Sequence, residues 1–302
     1  MDRKQVIVPM CGISAECAGL SIYGWLIEKI NKCNTQIFNS PNSSISLYNK
    51  LFDLIKAEDV FLGIPFFYYD YAETNITDNQ TSQYFMVLTK KTDEIQEIVP
   101  IMNALRMCSS SMVGCWYPLI MDNGQLKTVG SGIQYMYDGL KNENPILKRN
   151  ILESEEFKEL LIAAKNKKHS ETTMLMMAFF HEACRTSNQY LGFIMHITIL
   201  EMLIDGNMEL TYRISHCVAV LLGKNKEESI VISEKIKKMY GARSSFLHMG
   251  KYEKITDEML RLAFDYSRRI IANLMMIQDD ISDIRNKLDQ CGYGDNPYKV
   301  KF

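Results

Sequence analysis

The stretch Tyr240-Gly241-Ala242-Arg243-Ser244-Ser245-Phe246-Leu247-His248-Met249-Gly250 holds the two side-chain types that metal-free RNA cleavage requires. In that reaction the ribose 2′-hydroxyl attacks its own phosphodiester. One group must exchange a proton near neutral pH, and another must offset the charge that builds on the phosphoryl oxygens. Histidine suits the first task, because its ordinary pKa of about 6.5 leaves both protonation states populated. Arginine suits the second, being permanently charged and shaped for two-point contact with a phosphate. Arg243 and His248 are therefore the candidate catalytic residues. Tyr240 and Ser244 stand beside them as supporting groups, and Lys238 and Lys251 are nearby cations for an RNA backbone. Arginines followed closely by histidines also arise by chance, so the spacing needs a structural context.

That context begins with a helix. At roughly 100° per residue, positions 243 and 248 lie about 140° apart around an ideal helix, so the side chains are not stacked one above the other. They converge only if the arginine swings round the axis, if the helix loosens toward Gly250, or if the two groups serve a cleft between subunits. The spacing predicts a helix over 226–249, with Ile230, Ile232, Ile236, Tyr240 and Leu247 among its apolar residues and Gly250 as its stop.

Other helices must hold this one. Residues 171–205 read as one long helical pattern whose apolar seam runs through Met177, Phe180, Cys184, Leu191, Ile194 and Ile197, with Ser187 at the one polar place. Four places further the seam reaches Glu201. A carboxylate on a buried stripe needs a cationic partner, for which Arg213 and Arg243 are both candidates. Glu201 and Arg213 thus complete the supporting set, with orientation of an arginine favoured over proton transfer as the role of Glu201. Residues 210–222 form the next helix, stopped at Gly223, in which His216 reads as a structural histidine. Thr256 offers an N-cap to a helix whose seam passes through Met259, Ala263, Tyr266, Ile270, Leu274, Ile277 and Ile281. Arg268, Arg269, Lys235, Lys237 and Lys254 add local positive charge. His181 and Cys184 sit three apart without a further ligand pair, so neither zinc nor any other cofactor is expected.

The R-x4-H form of Arg243 and His248 resembles the pattern of HEPN domains. The run Tyr240–Ser245 with His248-Met249-Gly250 looks like the Apea-like HEPN group in particular, and Ile199–Ile204, Tyr212–His216 and Leu221-Leu222-Gly223 resemble the helices that precede the motif there. The resemblance covers roughly residues 150 to 280. It implies an all-helical bundle that dimerises so that two Arg-His pairs face a shared cleft. It further implies a metal-independent endoribonuclease in a toxin, antiphage-defence or stress-response setting, with RNA as substrate and a regulatory or antitoxin partner. The alternative within the same family is a module without turnover that holds RNA, a nucleotide or a protein.

Composition sets outer bounds. A chain of 302 residues is long for one domain. Its 47% hydrophobic and 23% charged residues can fill a core. The net charge of −2 excludes a globally basic nucleic-acid coat, so RNA contact would be local. No apolar run reaches the ~20 residues of a membrane helix, and a soluble cytoplasmic protein with no membrane contact is expected. The 8 cysteines include no C-x-x-C pair and read as reduced structural thiols.

The expected fold is α+β. Residues 1–145 read as a mixed α/β domain of unassigned role, 146–290 as the HEPN-like all-α helical bundle, and 291–302 as a loose tail. In the first domain the patterns give a strand at 5–9, a helix or strand over 20–30, a helix at 46–56, a strand at 83–89 and a helix at 97–107 with Pro100 in its first turn. The aromatic run Phe66-Phe67-Tyr68-Tyr69 reads as strand core rather than a base-stacking surface. Asn123-Gly124 signals a hairpin, and the polar run 141–145 marks the boundary.

Overall fold

The computed structural model describes residues 4–30, 85–111, 113–115, 119–122, 125–128, 146–166, 168–186, 188–205, 209–298 and 302. The expected helix at 46–56, the aromatic run 66–69, the Asn123-Gly124 turn and the polar run 141–145 lie outside these residues. The chain is α+β and divides into two compact units, Met1–Arg106 with Ser111–Phe157, and Met107–Ser110 with Lys158–Phe302. No helix among the described residues is long and apolar enough to cross a membrane.

The first unit is built on a sheet. Among the described residues its seven strands are β1 (Gln5–Cys11), β2 (Ser21–Ile22), β3 (Trp25–Ile30), β4 (Phe85–Lys91), β5 (Gly114–Cys115), β6 (Leu119–Asp122) and β7 (Gln125–Thr128). They run in the order β2-β3-β4-β1-β6-β7, every pairing antiparallel, with β5 also on β1. The three successive residues Val6, Ile7 and Val8 of β1 are all buried, as in a strand covered on both faces. The undecided stretch 20–30 is a hairpin. Tyr23 (φ 49°) and Gly24 (φ 78°) both adopt the left-handed backbone that a two-residue turn between twisted strands demands. β6 and β7 pair as the hairpin expected there, with Asp122 opposite Gln125. Pro100 falls in the first turn of α1 (Ile98–Met107).

The stretch just after the expected boundary belongs to this unit rather than to the helical half. Leu147 donates to the Gly12 carbonyl and accepts from the Ser14 N–H, each at 2.8 Å, which makes a parallel bridge to Ile13. α2 (Arg149–Leu152) follows, with the Arg149 N–H on the Glu16 carboxylate at 3.0 Å. The helix expected to begin near 153 begins later, as α3 (Glu155–Asn166), because the Ser154 hydroxyl accepts the Phe157 N–H and fixes a turn there.

The second unit contains α4 (Glu171–Arg185), α5 (Gln189–Glu201), α6 (Leu210–Leu222), α7 (Lys226–Met249), α8 (Asp257–Met276) and α9 (Ile281–Gln290). The single helix expected over 171–205 is two helices. Thr186 turns extended, and the Asn188 side chain caps the restart by accepting from the N–H groups of Tyr190 and Leu191 at 3.0 and 3.2 Å. The restart resets the helical phase. Leu191, expected on the seam, is exposed, while Phe193, His196, Ile197, Ile199 and Leu200 are buried. Gly192 permits the approach of the two helices, since a Cβ there would lie 2.9 Å from the Ala183 carbonyl oxygen. α5 then packs against α4, α6, α7 and α8 and is the central helix of the unit.

In α7 the buried stripe is Ser229, Ile232, Ser233, Ile236, Met239, Ala242 and Ser245, so the small residues face inward and Ile230 and Leu247 are exposed. α6 ends at Gly223 as expected, although its φ of −77° is ordinary. The reason for glycine there is steric, because a Cβ would meet the Ser229 side chain at 2.1 Å. Thr256 caps α8 through the Met259 N–H. The helix stops at Met276 with Ile277 extended, so Ile277 and Ile281 do not prolong its seam.

The tail expected to be loose is tied down as far as Tyr298. Tyr293 and Ser233 share a hydrogen bond of 2.8 Å, Asn296 donates to the Leu221 carbonyl at 2.8 Å, and the Cys291 carbonyl meets His216 Nε2 at 2.9 Å. Polar groups left at the junction of α6 and α7 find their partners in this segment.

Candidate functional site

α7 carries both candidate catalytic residues and runs unbroken to Met249. It does not loosen on the way. Gly250 ends it with a left-handed backbone (φ 66°), its N–H donating to the Phe246 carbonyl at 2.9 Å. Arg243 adjoins Ala242 at the edge of the buried stripe and reaches Glu201 at the last turn of α5. Its Nη2 lies 3.3 and 3.4 Å from the two carboxylate oxygens. The two side chains are 22% and 23% exposed, a half-buried pair still open to solvent.

Tyr240, one turn earlier, places its ring 5.5 Å from the Arg243 guanidinium carbon. Its phenol is pushed above the ordinary tyrosine range, first by burial and then by the Glu201 carboxylate to which it is hydrogen-bonded. Glu201, Arg243 and Tyr240 therefore form one assembly. Glu201 engages the fork through Nη2, and the buried Nε of Arg243 has no hydrogen-bond partner among the described residues. A guanidinium has five N–H donors, and with Nε closed off from solvent an anion would meet the partly exposed Nη groups.

Of the two arginines considered for Glu201, the structure selects Arg243. Arg213 instead binds Asp289 at 2.6 Å and the Asp205 carbonyl, tying the start of α6 to α9. It does not belong to the supporting set of Arg243. Cys217 adds a hydrogen bond to the same Asp289 at 3.2 Å. Asp289 escaped notice in the sequence because it lies 76 residues from Arg213, beyond any helical spacing.

His248 stands on the other side of α7. It is exposed, and its imidazole makes no hydrogen bond with the described residues. Five residues along a regular helix separate it from Arg243 by about 7.5 Å of rise and about 140° of rotation. One chain alone does not bring the imidazole to the guanidinium. Ser244 is half-buried, and Lys238 and Lys251 are exposed. Lys237 shares the side of His248 more closely than Lys238 does, since eleven residues make three turns to within about 20°. Helical phase was the signal that singles it out. Gly241, on the same side, leaves open space where a Cβ would stand.

Several cations expected to supply positive charge are already engaged. Arg268 and Arg269 both bind Asp265, at 2.8 and 3.8 Å, and Arg269 donates to the Leu222 carbonyl at 2.7 Å. Lys235 faces Glu258 at 3.2 Å and Lys254 reaches the Ser245 hydroxyl at 3.2 Å. His216 is structural, with its ring stacked on Tyr212 and its Nε2 on the Cys291 carbonyl. Around His248 the side chains of Leu247, Met249 and Tyr252 are exposed, and the Tyr252 ring lies 5.3 Å from that of Tyr190. Among the described residues no group of three or more His, Cys, Asp or Glu side chains could hold a metal ion.

This arrangement can bind an anion at Arg243 and exchange a proton at His248, on two sides of one helix. Comparison with known proteins finds no family model, no curated protein and no solved structure that matches the chain.

Proposed function

We propose that this protein is a metal-independent endoribonuclease of HEPN type that works as a homodimer on RNA. The observation that carries the reading is the Glu201–Arg243–Tyr240 assembly, a guanidinium oriented by a carboxylate and an aromatic ring and still partly open to solvent. Arg243 holds the scissile phosphate and offsets its developing charge. His248 takes the proton of the 2′-hydroxyl, whose oxygen then bonds to phosphorus as the bond to the 5′-oxygen breaks; the leaving 5′-oxygen takes a proton from water, and the imidazolium returns its own to solvent. The products are a 2′,3′-cyclic phosphate and a 5′-hydroxyl. A second copy docked over the exposed Leu247, Met249 and Tyr252 supplies the convergence that a single chain lacks. The toxin, defence or stress-response setting, with its regulatory or antitoxin partner, follows from the resemblance to HEPN domains alone.

The test uses mixed RNA in EDTA with the parent protein and the Arg243→Ala and His248→Ala variants. Cleavage by the parent alone, leaving cyclic phosphate ends, is the expected result. Equal cleavage by the variants, or loss of the parent's activity in EDTA, would overturn the scheme.

A second reading has its own observation, the separation of Arg243 and His248 around α7. In that reading the protein binds RNA, a nucleotide or a protein through the Arg243 side without turnover. RNA retained by the parent, released by Arg243→Ala and cut by neither would select it.

A further inference from the structure

Beside the Arg243 assembly lies an open groove lined by Glu209, Leu210, Thr211, Tyr212 and Tyr240. Tyr240 joins the two features, since its ring is at once a wall of the groove and the neighbour of the Arg243 guanidinium. Tyr212 is 54% exposed, a large share for an aromatic side chain in the first turn of a helix. Its ring is not free to wander. It stacks on His216 at 5.6 Å between centroids and 16° between planes, and His216 is held in turn by the Cys291 carbonyl and by the Tyr293 ring at 5.3 Å. One face of Tyr212 is thus backed by a column of rings, while the residue keeps 54% of its surface exposed and lines the groove. A flat, preorganised aromatic surface of this kind stacks an unpaired base, because every base has a π-face and little side-chain entropy remains to be lost.

The lip of the groove adds selectivity. Glu209 is exposed and held in a left-handed backbone (φ 52°), and its side chain makes no cap to the helix it precedes. A carboxylate accepts hydrogen bonds and repels phosphate, so it rewards bases that present donors. Guanine offers two adjacent donors, N1–H and the 2-amino group, that match the two oxygens of a carboxylate. Cytosine and adenine each offer one amino group, and uracil sets its single N–H between two carbonyl oxygens.

We infer that this groove is a nucleobase subsite that stacks an unpaired guanine on Tyr212 and reads its donor edge with Glu209, next to the phosphate held by Arg243. The inference rests on the RNA reading of the Arg243 assembly and deepens it by naming the base.

The experiment measures binding apart from cleavage. Fluorescein-labelled 2′-O-methyl hexanucleotides cannot be cut by 2′-hydroxyl attack, and they would be titrated by anisotropy as all-uridine and with a single guanosine. The parent is expected to bind the guanosine oligonucleotide about tenfold more tightly. Tyr212→Ala should lose about tenfold or more toward it while Tyr212→Phe keeps parent affinity, with matching thermal melting showing both folded. Glu209→Gln should erase the preference for guanosine without weakening all-uridine binding. Parent affinity in Tyr212→Ala, equal affinity for both oligonucleotides, or no binding to either by the parent would overturn the subsite. If Tyr212-dependent binding holds but RNA is never cleaved, the ribonuclease reading falls and the subsite stands. If RNA is cleaved at unchanged rate and position by Tyr212→Ala, the subsite falls and the ribonuclease reading stands.

Discussion

Two histidines of the helical unit, His196 in α5 and His248 in α7, share a side chain and nothing else. His196 is buried, its ring set edge-on between Phe180 and Phe264 at 5.4 and 5.7 Å, with Nδ1 and the Ser267 hydroxyl sharing a hydrogen bond of 2.8 Å. Burial pushes its pKa down to about 3, so it stays neutral and unable to exchange protons under ordinary conditions. His248 is exposed at the end of α7, and its ring has no hydrogen bond to the described residues. The contrast teaches that residue type does not assign a role. A histidine packed against two rings contributes to stability, and the one presented to solvent on the helix of Arg243 is the one to which the ribonuclease reading gives the proton transfer.

If the contrast is sound, the two histidines fail differently when removed. His248→Ala should lower RNA cleavage by about 10²–10⁴-fold, the usual worth of a general acid or base, while stability changes by no more than ~0.5 kcal/mol. Cleavage assays in EDTA and urea unfolding on the same preparation check both halves. His196→Ala should do the reverse, costing about 2–4 kcal/mol through the cavity left between the rings and the lost hydrogen bond to Ser267, whose hydroxyl keeps only the Phe264 carbonyl. Its cleavage rate per folded molecule should match the parent. A stable His196→Ala protein would show that the site collapses or fills with water, and the assigned role would be lost.

Acid gives the same contrast without mutation. Unfolded, a histidine takes its proton near pH 6.5. Folded, His196 resists until about pH 3. The unfolded state therefore binds more protons between these values, and stability must fall as pH falls through that window. The slope is about 1.4 kcal/mol per pH unit, or roughly 2 kcal/mol between pH 6.5 and 5. His196→Asn, which keeps a hydrogen-bonding group but cannot titrate, should flatten the profile in urea unfolding measured across that range. An unchanged slope would place the titrating group elsewhere.

How much of this was legible in the sequence depended on whether local spacing or long-range packing decided the outcome. The Thr256 cap, the stop at Gly250, the strand at Gln5 and the need of Glu201 for an arginine are all consequences of local chemistry, and each is present. The break after Arg185 was not seen, since the apolar spacing runs on across it and only the Asn188 cap and the Gly192 contact reveal the new phase. With the phase lost, the burial of His196 and the exposure of Leu191 were lost too. The sequence offers Arg213 and Arg243 alike as a partner for Glu201, and the partner Arg213 takes, Asp289, is reached only through the tertiary packing of α6 on α9. The groove beside Tyr240 has the same origin, being made by Glu209, the first turn of α6 and one residue of α7, which have no spacing in common.

The smallest predicted effect concerns the cap that ends α7 two residues after His248. Gly250 has φ of 66°, a conformation that costs a residue with a Cβ about 1 kcal/mol relative to glycine. A Cβ built there has no atom within 4 Å, so Gly250→Ala carries backbone strain without a clash. The variant should lose ~1 kcal/mol in urea unfolding, and Gly250→Asn less, because asparagine tolerates the left-handed region. Gly223→Ala supplies the opposite case, an ordinary φ with a Cβ 2.8 Å from the Ala219 carbonyl oxygen and 2.9 Å from Ser229 Cα, where the cost is steric. The cap relieves its strain most cheaply by fraying the last turn of α7, which carries His248. Cleavage should therefore fall further in Gly250→Ala than in a surface variant of equal stability such as a mild substitution on α9. Equal cleavage in the two would mean that the exposed imidazole does not depend on an ordered helix end.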